Sequence, residues 1–200
     1  MKIASTGYLI AGLGAVSLLF SGAAQAHTGH GTAGLAEGLA HPFGLDHLLA
    51  MVAVGIWSVA ALPAKRAFFG PLVFLTALMV SAVLGVLGMT MPHLEGLIAA
   101  SVVLFGLMLV TSRSPSSANL GLLWIALAAS LHGLAHGAET PASGFAGYAV
   151  GFLVTTAALH ACGVGVALGI RRHFDRRAAG IIHILGVAFG GAGAYLLGQI

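Results

Sequence analysis

The sequence predicts an all-α membrane protein, a compact bundle of six transmembrane helices, on three observations. Of 200 residues, 58% are hydrophobic and only 6% charged, against roughly 25% charged in ordinary soluble domains. The apolar residues gather in runs close to the roughly 20 that cross a bilayer, not in the short alternating strands of a barrel. The prolines, at 42, 63, 71, 92, 115 and 141, all stand at or near the ends of these runs, where a helix tolerates them. This length leaves no room for a separate soluble domain. A formal charge of +3 without a basic patch argues against nucleic acid, and Cys162, the single cysteine, excludes an intrachain disulfide.

The chain opens on Lys2, the apolar stretch YLIAGLGAVSLLF and SGAAQA, which ends in Ala24-Gln25-Ala26. A basic start, an apolar core and an A-x-A site mark a cleaved signal peptide over 1–26. The mature chain, 27–200, then begins at His27, and His27 and His30 fall in a glycine-rich tail read as disordered. The six spans follow at about 43–63, 68–90, 94–112, 119–138, 143–170 and 179–199. Lys65 and Arg66 separate the first two, Arg113 the middle pair, and Arg171, Arg172, Arg176 and Arg177 the last two. The positive-inside rule puts those loops in the cytoplasm and both mature termini in the periplasm, as the signal peptide also requires. Stretches such as GFAGYAVG (144–151), HGLAHG (132–137) and GVAFGGAG (186–193) place small residues four apart, a pattern that lets helix backbones approach closely in lipid.

The first span carries an unexpected head, AHPFGLDHLLAMVAVGIW (40–57), with His41, Asp46 and His47 against an unbroken apolar run. Pro42 suits a helix start, which would leave His41 at the outer lip and Asp46–His47 about one turn deeper. Adjacent helical residues point about 100° apart, so Asp46 reads better as a carboxylate orienting His47 than as a second ligand. At the third span, GMTMPHLEG (88–96) adds His93 and Glu95 in the outer turn. Met89 and Met91 would suit Cu(I), but methionine at a helix end is more often packing. The fourth span ends in SLHGLAHGAE (130–139). There His132 and His136, four apart, share a helix face, with Glu139 three residues on. Two imidazoles and a carboxylate on one stripe suit a borderline divalent ion such as nickel, cobalt or zinc. Ionisable groups inside a membrane are costly and generally functional. Because spans one and four run oppositely, their histidines reach a similar depth. Deeper in, His160 of the fifth span and His183 of the sixth are candidates for an inner path, whereas His173, in RRHFDRR (171–177), reads as solvated.

HPFGLDHLLAMVAVG and HGLAHGAE, with six spans and a cleaved signal, resemble the HupE/UreJ family of hydrogenase and urease accessory nickel permeases. The resemblance covers essentially the whole mature chain. It implies a permease, not an enzyme, that imports Ni2+ or Co2+ across the bacterial inner membrane to supply urease or hydrogenase maturation. It carries no permanently bound cofactor; its partners are the ion and the lipid bilayer, and a homo-oligomer is compatible with the sequence. The positions implied are His41, Asp46, His47, His136 and Glu139, with Glu95, and the spacing above adds His132. The family signature has one more residue between its first histidine and the Asp-His pair, a difference that would turn His41 about 100° relative to the pair on a helix. Three other classes compete. A metal-dependent membrane enzyme would need a general base, but HGLAH (132–136) has glycine where HExxH has glutamate. A haem carrier would not need the acidic neighbours, and a non-transporting assembly partner for nickel enzymes stays open.

Overall fold

The computed structural model describes residues 34–112, 117–140 and 145–200. The signal segment 1–26, His27, His30, Arg113, Pro115 and Pro141 lie outside them. The described residues fold into helices alone: α1 (Leu35–Ala40), α2 (Leu45–Ala61), α3 (Phe69–Val86), α4 (Leu94–Val110), α5 (Ser117–Ala138), α6 (Phe145–Phe174) and α7 (Ala178–Leu197). Short 3-10 turns occupy His41–Phe43, Ala64–Arg66 and Asp175–Arg177.

By length and composition, three stretches can cross a membrane: Ala64–Val86, Ala118–Ala138 and Phe145–Leu197. A fourth arises if Leu35–Phe43 and Leu45–Ala61, bent by 76°, count as one span, while Leu94–Val110 is a shorter apolar helix. The stretch Phe145–Leu197 holds 53 residues and would reach about 80 Å if straight. Packing shows that it doubles back. Helices α2 and α6 run the same way: Gly55 and Gly163 meet backbone to backbone, and Arg171 Nη2 donates to Ala60 O at 3.4 Å. Helices α3 and α5 are also parallel, with Leu78 level with Gly133, Ala82 with Gly137 and Gly85 with Ala138. Trp57, late in α2, covers Gly121, early in α5, and His47, at the start of α2, meets His132 and His136 near the end of α5; these two are antiparallel. Ser101, in the first half of α4, reaches His132, which sets α4 parallel to α2. On α7, Gly193 meets Val102, and Gly190 and Gly186 meet Gly106, so α7 opposes α4. Hence α2, α4 and α6 point one way and α3, α5 and α7 the other, with a reversal at Asp175–Arg177.

The close crossings depend on glycine. A Cβ at Gly55 would run into the His160 carbonyl, and one at Gly106 into the Gly190 backbone. Backbones at such contact distance gain van der Waals packing, the main drive for helix association in lipid. Around them lies an apolar core of Trp57, Phe74, Phe105, Met51 and Ile125, each at most 1% exposed. Large apolar side chains also cover the outside: Leu72, Val80, Val83, Leu107, Leu123, Val154, Ile184 and Val187 are all more than half exposed. An exposed apolar surface of that extent belongs against lipid or another protein.

One local expectation is corrected. Pro42 does not open the first long helix; it sits inside the 3-10 turn His41–Phe43, and the helix restarts at Leu45 after Gly44. Gly44 takes an extended ψ of 138°, which breaks the helical path and produces the sharp bend.

Candidate metal centre

The bend sets the geometry of the mouth. Helix α1 lies across the start of α6, where Gly38 packs on the Tyr148 backbone and Thr155 Oγ1 donates to Leu39 O at 2.9 Å. That anchorage hangs His41 over the end of α5. Its ring centre lies 4.6 Å from that of His136 and 6.0 Å from that of His47. The 100° offset expected from the short spacing therefore does not operate, because no continuous helix joins His41 to Asp46.

Asp46 and His47 follow in the first turn of α2. Asp46 Oδ1 accepts both the backbone N–H of His47 and its ring Nδ1–H, each at 2.8 Å. A side chain at Gly44 would crowd that carboxylate oxygen. With Nδ1 carrying the proton, His47 presents the lone pair of Nε2, which is buried without a hydrogen-bond partner in the protein. A carboxylate behind an imidazole in this way fixes its tautomer and ring orientation.

His132 is held in the opposite sense. The Ser101 hydroxyl donates to Ile98 O at 2.7 Å, which leaves its oxygen to accept Nε2–H of His132 at 3.0 Å. The His132 lone pair then resides on Nδ1, again buried and unpartnered. His136 has no protein partner for either ring nitrogen and packs on Phe152, ring centres 4.3 Å apart.

These groups converge. His47, His132 and His136, all buried, each offer one nitrogen within 4.8 Å of the others. His41, His136 and Glu139 form a second such set toward the surface, with His41 Nε2 4.0 Å from Glu139 Oε2. His136 belongs to both, so the sets make a stepped line from an exposed carboxylate to an enclosed trio of imidazoles. Neutral imidazole is the commonest metal ligand in proteins, and burial in a dry apolar wall leaves these nitrogens few alternatives.

The other expected residues fall elsewhere. His93 and Glu95, at the start of α4, are exposed and join neither set; His93 adopts a left-handed conformation, φ 57°. His160 is buried deeper in the bundle, with Nδ1 2.7 Å from Thr156 O, and His183 is exposed on α7. Three further residues reach the site: Ser101 at His132, Tyr148 at His41 and Phe152 at His136. Ser101 carried no signal in sequence, since a lone serine in an apolar helix usually bonds its own backbone, and only the crossing of α4 and α5 brings it to His132.

Residues 15–196 match the family described as HupE / UreJ protein. The chain is 38% identical over 176 residues to Protein HupE of Rhizobium leguminosarum bv. viciae, covering 87% of this chain and 90% of that relative. No solved structure matches. A match spanning the buried histidines, the bent entrance and the long helices alike means that the chain belongs to the HupE/UreJ family.

Proposed function

We propose that this protein is an inner-membrane permease that imports Ni2+, and Co2+ by the same chemistry, to supply urease or hydrogenase maturation. The observation that carries the reading is the trio His47, His132 and His136, whose nitrogens lie within 4.8 Å of one another inside a lipid-compatible bundle. An all-imidazole set disfavours Mg2+ and Ca2+, which take oxygen ligands, and suits nickel, cobalt or zinc. Family membership supports nickel-enzyme supply as the purpose.

Six spans are the arrangement proposed for the bilayer: the bent pair counts as one, Phe145–Leu197 as two, and the 17 residues of Leu94–Val110 suffice at the short end of the usual range. Lys65, Arg66, Arg171 and Arg172 then lie on the cytoplasmic side, while Glu37, Glu95 and Glu139 draw cations to the periplasmic mouth. The hydrated ion meets His41 and Glu139 first, exchanges water for His136, and passes to the buried trio, with Asp46 holding His47 in register. The sequence has no nucleotide-binding motif; the membrane potential supplies about 2.3 kcal/mol per charge per 100 mV, and twice that for a divalent ion.

Uptake of radiolabelled Ni2+ at trace concentration, in cells with and without the protein, tests the reading. Uptake should rise with the intact chain and fall to background in His47→Ala and His136→Ala at equal expression. Variants that accumulate nickel like the intact protein would remove the trio from the pathway. A chain that binds Ni2+ but moves none would be an assembly partner instead.

A further inference from the structure

Below the trio lies a further buried imidazole that the entry site does not use. His160 is 1% exposed, and Thr156, one turn earlier on α6, is fully buried. The His160 Nδ1–H donates to Thr156 O at 2.7 Å, which places the lone pair on Nε2. That Nε2 and Thr156 Oγ1 are both buried without a partner in the protein. Leaving a buried polar atom unpaired costs about 1–3 kcal/mol, so two on residues four apart on one helix face call for a ligand.

Their position relative to the trio is defined by contacts. The His160 carbonyl abuts Gly55 of α2, eight residues beyond His47, or about 12 Å further along the helix. Because side chains lean toward a helix N-terminus, and α6 runs parallel to α2, the His160 ring leans back toward the trio. A single side chain touches both levels: the Phe74 ring centre lies 5.6 Å from that of His132 and 4.9 Å from that of His160. Phe74 is fully buried and backed by Phe105 at 6.5 Å. An aromatic ring cannot replace the water or imidazole ligands of a divalent ion, and this one contacts both imidazoles.

We propose that His160 Nε2 and Thr156 Oγ1 form a second, inner station for the transported divalent cation, and that Phe74 is the barrier the ion must pass to reach it from His132. The inference rests on the permease reading. It divides translocation into capture by three nitrogens, displacement of Phe74 into another side-chain well, and transient hold by a sparse site. Conduction needs binding weak enough to release the ion, and hydrophobic constrictions act as gates; a site with one imidazole and one hydroxyl answers the first need and Phe74 the second.

The test uses the full chain in proteoliposomes, with Ni2+ binding measured by equilibrium dialysis and Ni2+ entry by a lumenal metal-sensitive dye. His160→Ala and the more conservative His160→Gln should keep binding at the trio, which also reports a folded protein, and lose at least tenfold in entry. Phe74→Leu should raise entry several-fold with binding retained, since the smaller side chain opens the constriction. His160 variants that bind and transport as the intact protein does would overturn the inner station, and a Phe74→Leu chain with unchanged entry would overturn the barrier. If the intact chain binds Ni2+ but admits none, the permease reading fails, and this step with it.

Discussion

At the acidic end of the bundle, His47, His132 and His136 crowd together with four buried nitrogens that find no partner in the protein. At the basic end of the same helices, polar side chains are few and engaged: Ser58 Oγ accepts the Gly70 N–H at 3.1 Å, and Ser112 Oγ donates to Leu109 O at 2.9 Å. The helices there close on one another through glycine, as at Gly55 against Gly163 and Gly121 under Trp57. Among the described residues, the buried polar atoms without a partner concentrate at the first end, with His160 Nε2 and Thr156 Oγ1 deeper in the bundle. Polar atoms unsatisfied in a dry interior oppose folding, so their concentration at one end marks where an external ligand completes the structure, whereas the glycine crossings supply the association that holds it.

If this division is right, variants at the two ends should fail in different ways. The largest effect is expected for His136→Leu, which removes the imidazole common to both ligand sets. Ni2+ affinity should fall more than about 100-fold, beyond the 10–100-fold typical of losing an orienting partner alone. The metal-free protein should melt no lower than the unsubstituted chain, because no protein hydrogen bond is lost; a clear drop would show that His136 is a structural residue. Asp46→Asn comes next, with about 10–100-fold weaker Ni2+ binding and little change in melting temperature. Equal loss from Asp46→Asn and His47→Ala would instead make the carboxylate a direct ligand.

The glycine end should give the reverse pattern. Gly163→Ala, whose Cβ meets the Val52 carbonyl, should destabilise the folded state by about 1–3 kcal/mol while Ni2+ affinity stays within twofold. Thermal unfolding and equilibrium dialysis on one sample separate the two outcomes. The smallest effect belongs to Ser101→Ala. Releasing Nε2–H of His132 should weaken binding about 2–10-fold, the worth of one hydrogen bond, and an unchanged affinity would show that the hydroxyl does not set the tautomer.

Much of this was legible in the order of residues. Membrane-compatible composition, the positions of the long helices within a few residues, and the clustering of basic groups away from the histidines follow from hydropathy and charge alone, because a bilayer imposes length and polarity directly on the chain. The i, i+4 relation of His132 and His136 is likewise a property of any α-helix, and the reading of Asp46 as a carboxylate orienting His47 came from helical phase.

Tertiary structure decided which of these groups meet. His41 was displaced from a helical phase argument by a turn at Gly44 whose geometry depends on α1 docking against Tyr148 and Thr155, more than a hundred residues away in sequence. Ser101 acquired its partner from a helix crossing, and Phe74 became the contact between two imidazoles because α3 packs parallel to α5. Such pairings are set by where backbones can approach, and that depends on the joint packing of several helices, which no local pattern encodes.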